Sequence, residues 1–124
     1  IRYEVAAPVD RILVWDCRNC QKATGAGASA NVVVSAAALT FSRGTPRLFR
    51  QQVDSGNTLH RAFCSDCGSP IYSRRDHVPD WLVLKVGTLD RPHGAVVANL
   101  WTQSASAWTP IQAGVDNYPQ NRPA

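Results

Sequence analysis

Hydrophobic and polar positions alternate along the chain over short spans, and turn residues break each span before it grows long. Period two is the mark of a half-buried strand. Ile1, Tyr3 and Val5 against Arg2 and Glu4 predict a first strand that ends at Pro8. Arg11 to Trp15 (RILVW) predicts a second, more buried one. Asn31 to Val34 and Leu39 to Ser42 follow, and Gly44-Thr45-Pro46 turns the chain into a strand over Arg47 to Gln52. Asp54-Ser55-Gly56-Asn57 is the clearest hairpin turn. Leu59 to Cys64 and Pro70 to Ser73 flank a second turn, Trp81 to Gly87 (WLVLKVG) predicts the central strand, and Val96 to Thr102 follows it. Helix is confined to a turn or two, at Ser35 to Ala38 and after Cys20. Beyond Ser104, Pro110, Gly114, Pro119 and Pro123 predict an extended tail packed by Trp108 and Tyr118. The expectation is an all-β, small and turn-rich fold.

Composition narrows the function. The 124 residues fit one domain over the whole chain, 1–124, and contain no apolar run near the ~20 residues of a membrane helix. The opening IRYEVAAPVD has neither the basic start nor the apolar centre of a secretory signal, so a cytoplasmic location is expected. No methionine is present, so Ile1 is not a translation start and residues upstream of it are expected. The net charge of +4 is almost wholly arginine: of 13 basic residues only Lys22 and Lys85 are lysine. Arginine's planar fork suits carboxylates and phosphates, which makes small anions plausible ligands. The arginines are scattered, without a basic block or interleaved aromatics, so nucleic acid is not expected as a partner.

All four cysteines fall in two Cys-x-x-Cys pairs, Cys17 with Cys20 and Cys64 with Cys67. Such a pair lets two sulfurs reach one zinc ion at ~2.3 Å, and two pairs complete a tetrahedron. Gly68, directly after Cys67, supplies the left-handed freedom a knuckle turn needs. Three alternatives stand beside zinc: a disulfide framework, which wants an oxidising compartment; buried free thiols; and a redox pair, which wants a strand-to-helix setting in a βαβ unit that the pattern does not predict. His60, His77 and His93 show no ligand spacing to either pair and read as surface or turn residues.

The order of motifs resembles a known family. Cys17, Cys20, Thr24, Gly25 and Ala26, then Ser55, Arg61, Phe63, Cys64, Cys67, Gly68 and Ser69, then Gly87 to Asp90, and finally Trp108 before Asp116, Tyr118 and Pro119 are similar to the glutathione-dependent formaldehyde-activating enzyme family, which shares its domain with centromere protein V. The resemblance implies a small Mss4-like fold of antiparallel strands. It also implies a structural zinc site of which Cys64 and Cys67 are half, and a catalytic zinc site of which Cys17 and Cys20 are two of three ligands. The chemistry so implied is that of a carbon-sulfur lyase: zinc accepts the thiol of glutathione, lowers its pKa and presents it to formaldehyde, giving S-hydroxymethylglutathione. Arg18 and Arg61, nearest the motifs, are candidate partners for glutathione carboxylates, with pairing of Arg61 to an acid such as Asp66 as the plain alternative.

The chain also departs from that family. The partner Cys-x-Cys of the structural site would lie upstream of Ile1, and the third catalytic cysteine falls at Trp15, whose indole cannot ligate zinc. Asp16 could replace it only by leaving the strand, because neighbouring strand residues face opposite ways. A histidine common in the family stands here as Asn99. Two functions therefore remain open: a lyase acting on thiol adducts of small aldehydes, and a non-catalytic module of the same fold that binds a small molecule or a protein.

Overall fold

The computed structural model describes residues 1–123. Its elements run β1 (Arg2–Val5), β2 (Arg11–Trp15), α1 (Arg18–Thr24), β3 (Ser29–Ser35), β4 (Leu39–Arg43), β5 (Arg47–Gln52), β6 (Thr58–Phe63), β7 (Pro70–Arg75), β8 (Trp81–Lys85), β9 (Ala95–Leu100) and β10 (Asp116–Asn117). Eight strands form one sheet in the order β10-β9-β2-β3-β8-β7-β6-β5, and β1 pairs with β4 in a separate ribbon.

Alternation explains how the layers meet. Val32 and Val34 of β3 and Leu82 and Leu84 of β8 point to one face of the sheet and are buried there. The ribbon covers that face with Tyr3, Val5, Leu39 and Phe41. Tyr3 meets Phe41 edge to face at 6.1 Å between ring centroids, a favoured arrangement for aromatic pairs. The residues between the core positions, Asn31, Val83 and Lys85, turn to the opposite face by the same period.

The fold is all-β and mostly antiparallel, as expected, with one parallel portion in which β9 runs parallel to both β2 and β10. The chain after β8 crosses back to where β2 begins instead of turning as a hairpin, and parallel pairing requires such a crossover. Gly94, at φ +103°, marks the crossing: a Cβ there would lie 2.2 Å from the Asp10 carbonyl oxygen. The short helix expected near Cys20 is α1, seven residues or about two turns long, and it begins two residues earlier, at Arg18. One expectation needs correction: Trp108, expected to pack the tail, is 72% exposed and touches the body of the protein at Gly27. The tail is held by backbone bonds from Trp101 to Gln120 and from Thr102 to Tyr118, and by Trp101 Nε1 donating to Asn121 Oδ1 at 2.8 Å.

Candidate functional site

The first cysteine pair sits where β2 hands over to α1. Cys17 is the N-cap, its Sγ accepting from the Cys20 backbone N–H at 3.3 Å. The helix is pinned by Gln21, which is buried and donates through Nε2 to the carbonyls of Asp16 at 2.7 Å and Ser104 at 3.0 Å. It ends through Thr24, whose hydroxyl donates to the Cys20 carbonyl at 2.9 Å, and Gly25 at φ +68°, whose N–H bonds the Gln21 carbonyl. The Thr-Gly-Ala sequel to the cysteines is thus a helix stop. The Cys17 and Cys20 sulfurs are joined as a disulfide, so in this form neither is a thiolate. The pair sits at a strand-to-helix step, but β2 and β3 are antiparallel, so the step belongs to no βαβ unit, as expected.

Cys17 and Cys20 form one wall of a cavity of about 380 Å³. Its floor is the sheet face opposite the core. Register aligns Arg61 of β6, Ser73 of β7 and Val83 of β8 across neighbouring strands, with Lys85 the next same-face residue of β8. Trp15, His77 and Trp101 also border the cavity. Among the described residues, no carboxylate lines it.

Two cations dominate the floor. Arg61 is half-buried, which pushes its guanidinium below its usual range, and its Nε donates to Gln51 Oε1 at 3.2 Å rather than to an acid such as Asp66. Lys85 is buried, and its Nζ donates to Ser29 Oγ at 2.8 Å and Asn31 Oδ1 at 3.0 Å, both neutral. Burial, and then the charge of Arg61, lower Lys85 to about 8. Lys85 escaped the sequence reading; the signal for it was a lone charge inside the WLVLKVG strand. Arg18 is exposed, bonds Gln21 Oε1 through Nη1, and is not part of the cavity lining.

The second pair lies elsewhere. The Cys64 N–H bonds the Ser69 carbonyl at 2.9 Å, the Gly68 N–H bonds the Cys64 carbonyl at 2.7 Å, and Gly68 has φ +77°, the knuckle geometry that Gly68 led us to expect. Hydrogen bonding with Ser69, and then with Cys64, lowers the exposed Cys67 thiol. Ile1, Tyr3 and Thr88 border this pair rather than Cys17 and Cys20. The four cysteines therefore do not converge on one ion.

Among the described residues, no group of three or more His, Cys, Asp and Glu is placed to hold a metal. Trp15 borders the cavity where the family resemblance puts a third thiolate, and its indole Nε1 is buried without a partner. Asp16 is fully buried with both carboxylate oxygens unpartnered, lies outside the cavity lining, and has its carboxyl pushed up by that burial. The donors present at Cys17 and Cys20 do not fit a three-thiolate zinc. Asn99 is buried and donates to Asn117 Oδ1 at 2.7 Å, which ties β9 to the tail. Of the histidines, His60 pairs with Asp76 at 2.7 Å, His93 contacts the Arg91 carbonyl, and His77 alone borders the cavity.

Comparison with known proteins gives a consistent result. The family model described as glutathione-dependent formaldehyde-activating enzyme matches residues 1–109. No curated protein matches the chain. Among solved structures, a Rhodobacter sphaeroides protein from a structural genomics programme aligns with a TM-score of 0.56 at 17% identity, covering 94% of this chain and 89% of its own. That likeness is one of fold.

Proposed function

Since the chain belongs to the glutathione-dependent formaldehyde-activating enzyme family, we propose that its cavity binds a small thiol of the glutathione class, or the adduct of such a thiol with a small aldehyde. The observation that carries this reading is one cavity lined both by a sulfur pair, Cys17 and Cys20, and by Arg61 and Lys85. In a reducing, cytoplasmic setting the disulfide opens, and the two thiols face the bound ligand. Arg61 is the proposed partner for a ligand carboxylate, and Arg18 joins it only by leaving Gln21. The family is zinc-associated, and Cys17 and Cys20 would supply two thiolates, which hold the ion more weakly than three. The Cys64 and Cys67 knuckle would supply half of a tetrahedral zinc set and has no part in the chemistry.

The test is a formaldehyde-plus-glutathione assay under reducing conditions, paired with metal analysis of the same sample. Formation of S-hydroxymethylglutathione above the uncatalysed rate, lost on Cys17→Ser, supports carbon-sulfur lyase activity. Binding of glutathione without turnover supports the non-catalytic module, which the placement of Trp15 favours. Absence of both overturns the proposal.

A further inference from the structure

We infer that Arg61 and Lys85 together form an oxyanion subsite on the cavity floor, which selects ligands bearing a carboxylate or phosphate group. The inference rests on the cavity being the ligand site, as proposed above, but not on any sulfur chemistry.

Three observations carry it. Neither cation has a carboxylate partner: among the described residues the ion pairs are Arg2 with Asp90 and His60 with Asp76. Unpaired buried charge is costly, and two such charges on one floor repel each other, so an anion between them relieves both penalties. Next, the donors of Lys85 are only partly used. Asn31 Nδ2 donates to the Ser29 carbonyl at 2.9 Å and Ser29 Oγ donates to Asn31 Oδ1 at 2.9 Å, which fixes both oxygens as acceptors for Nζ. Two N–H bonds of the ammonium are thereby taken and the third is left for a ligand in the cavity that Lys85 lines. Arg61 likewise uses Nε on Gln51 and keeps its terminal nitrogens. Finally, Ser73 stands beside Arg61 in the register and offers a hydroxyl to the same group.

The pH signature has a definite sign. The groups that face Lys85 are Arg61 from β6, neutral Ser29 and Asn31 from β3, and Ser73 from β7; Arg75, His77 and the disulfide-bonded Cys17 and Cys20 border the same space. Lys85 holds its proton below about 8, so anion binding is strong there and fades as the pH rises through that value. Arg61 stays charged throughout.

Succinate is the probe, because it carries carboxylates without a thiol or an amine and does not titrate in the relevant range; its neutral diamide is the control and inorganic phosphate the second oxyanion. Nuclear magnetic resonance titration of the protein should show succinate binding near neutral pH that weakens about tenfold or more in Lys85→Met, the scale for one charge-assisted hydrogen bond. Lys85→Arg should retain binding and remove its decline between about pH 7 and about pH 9.5. The diamide should not bind, and phosphate should compete with succinate. Equal affinity in Lys85→Met, equal binding of the diamide, or no binding of either anion overturns the inference. Should Lys85→Met fail to fold, the pH dependence of the unmodified protein decides alone: a flat profile overturns it. Succinate binding without turnover of glutathione and formaldehyde removes only the enzymatic reading.

Discussion

Asp16 is the residue whose environment is most at odds with its chemistry: fully buried, with neither carboxylate oxygen partnered. Burial raises its pKa, so the folded state holds this proton to higher pH than the unfolded chain does. Its contribution to stability therefore falls as the pH rises from the ordinary carboxyl value through the raised one. Asp16→Asn removes the ionisation, and thermal melts should find the variant gaining on the parent at pH 7 relative to pH 4; a gap that does not change with pH would sink this account. One residue earlier, Trp15 borders the same cavity as Cys17 and Cys20. Trp15→Cys should supply the missing donor, and under reducing conditions metal analysis should find zinc retained more firmly than in the parent. No gain in zinc would mean that the three sulfurs do not converge. What the sequence disclosed at this scale was short-range: the Cys64 to Gly68 turn is closed by bonds inside the motif. Gln21 and Lys85 stayed hidden because their partners are distant, Ser104 lying 83 residues from Gln21 and Ser29 lying 56 from Lys85.

Elements were legible where alternation was strong, and orientation was not. WLVLK reads as a buried strand, since Leu82 and Leu84 need one face and Val83 and Lys85 the other, but the strand stops at Lys85 and Val86–Thr88 forms a 3-10 turn instead of continuing it to Gly87. Nothing in Val96 to Thr102 states that it will lie parallel to β2, because that pairing rests on contacts between distant segments, such as the close approach of Gly94 to Asp10. Two glycines separate the local cost from the tertiary one. Gly68 has φ +77° with nothing within 4 Å of a would-be Cβ, so Gly68→Ala should cost only backbone strain, about 1–2 kcal/mol. Gly94→Ala meets backbone atoms of Asp10 at 2.2 to 2.6 Å and must part β9 from β2. Urea denaturation should therefore rank Gly94→Ala as clearly the more damaging. Equal midpoints would mean that the crossover yields without loosening the sheet.

Across the whole molecule, the sheet passes from a covered centre to an open edge. β3 and β8 are paired on both sides and contribute Val32, Val34, Leu82 and Leu84 to the core, whereas β5 pairs only with β6 and exposes Leu48 and Phe49. Local opening follows burial and pairing, so amide exchange should be slowest in β3 and β8 and fastest in β5. The cavity bridges the two regimes. Lys85 is anchored in the slow centre, while Val53, Ser55 and Asn57 border the cavity from the loop that joins β5 to β6. A ligand held on Arg61 and Lys85 would thus tie an exposed rim to a buried floor. Protection already near its ceiling in β3 and β8 has little room to rise, but the β5–β6 hairpin has much. Hydrogen exchange with and without saturating succinate should therefore show the largest slowing in residues 53–61, next to Arg61, and little change in β3. Slowing spread evenly through the sheet would indicate general stabilisation rather than closure of the rim, and no slowing in the hairpin would place the anion somewhere other than between Arg61 and Lys85.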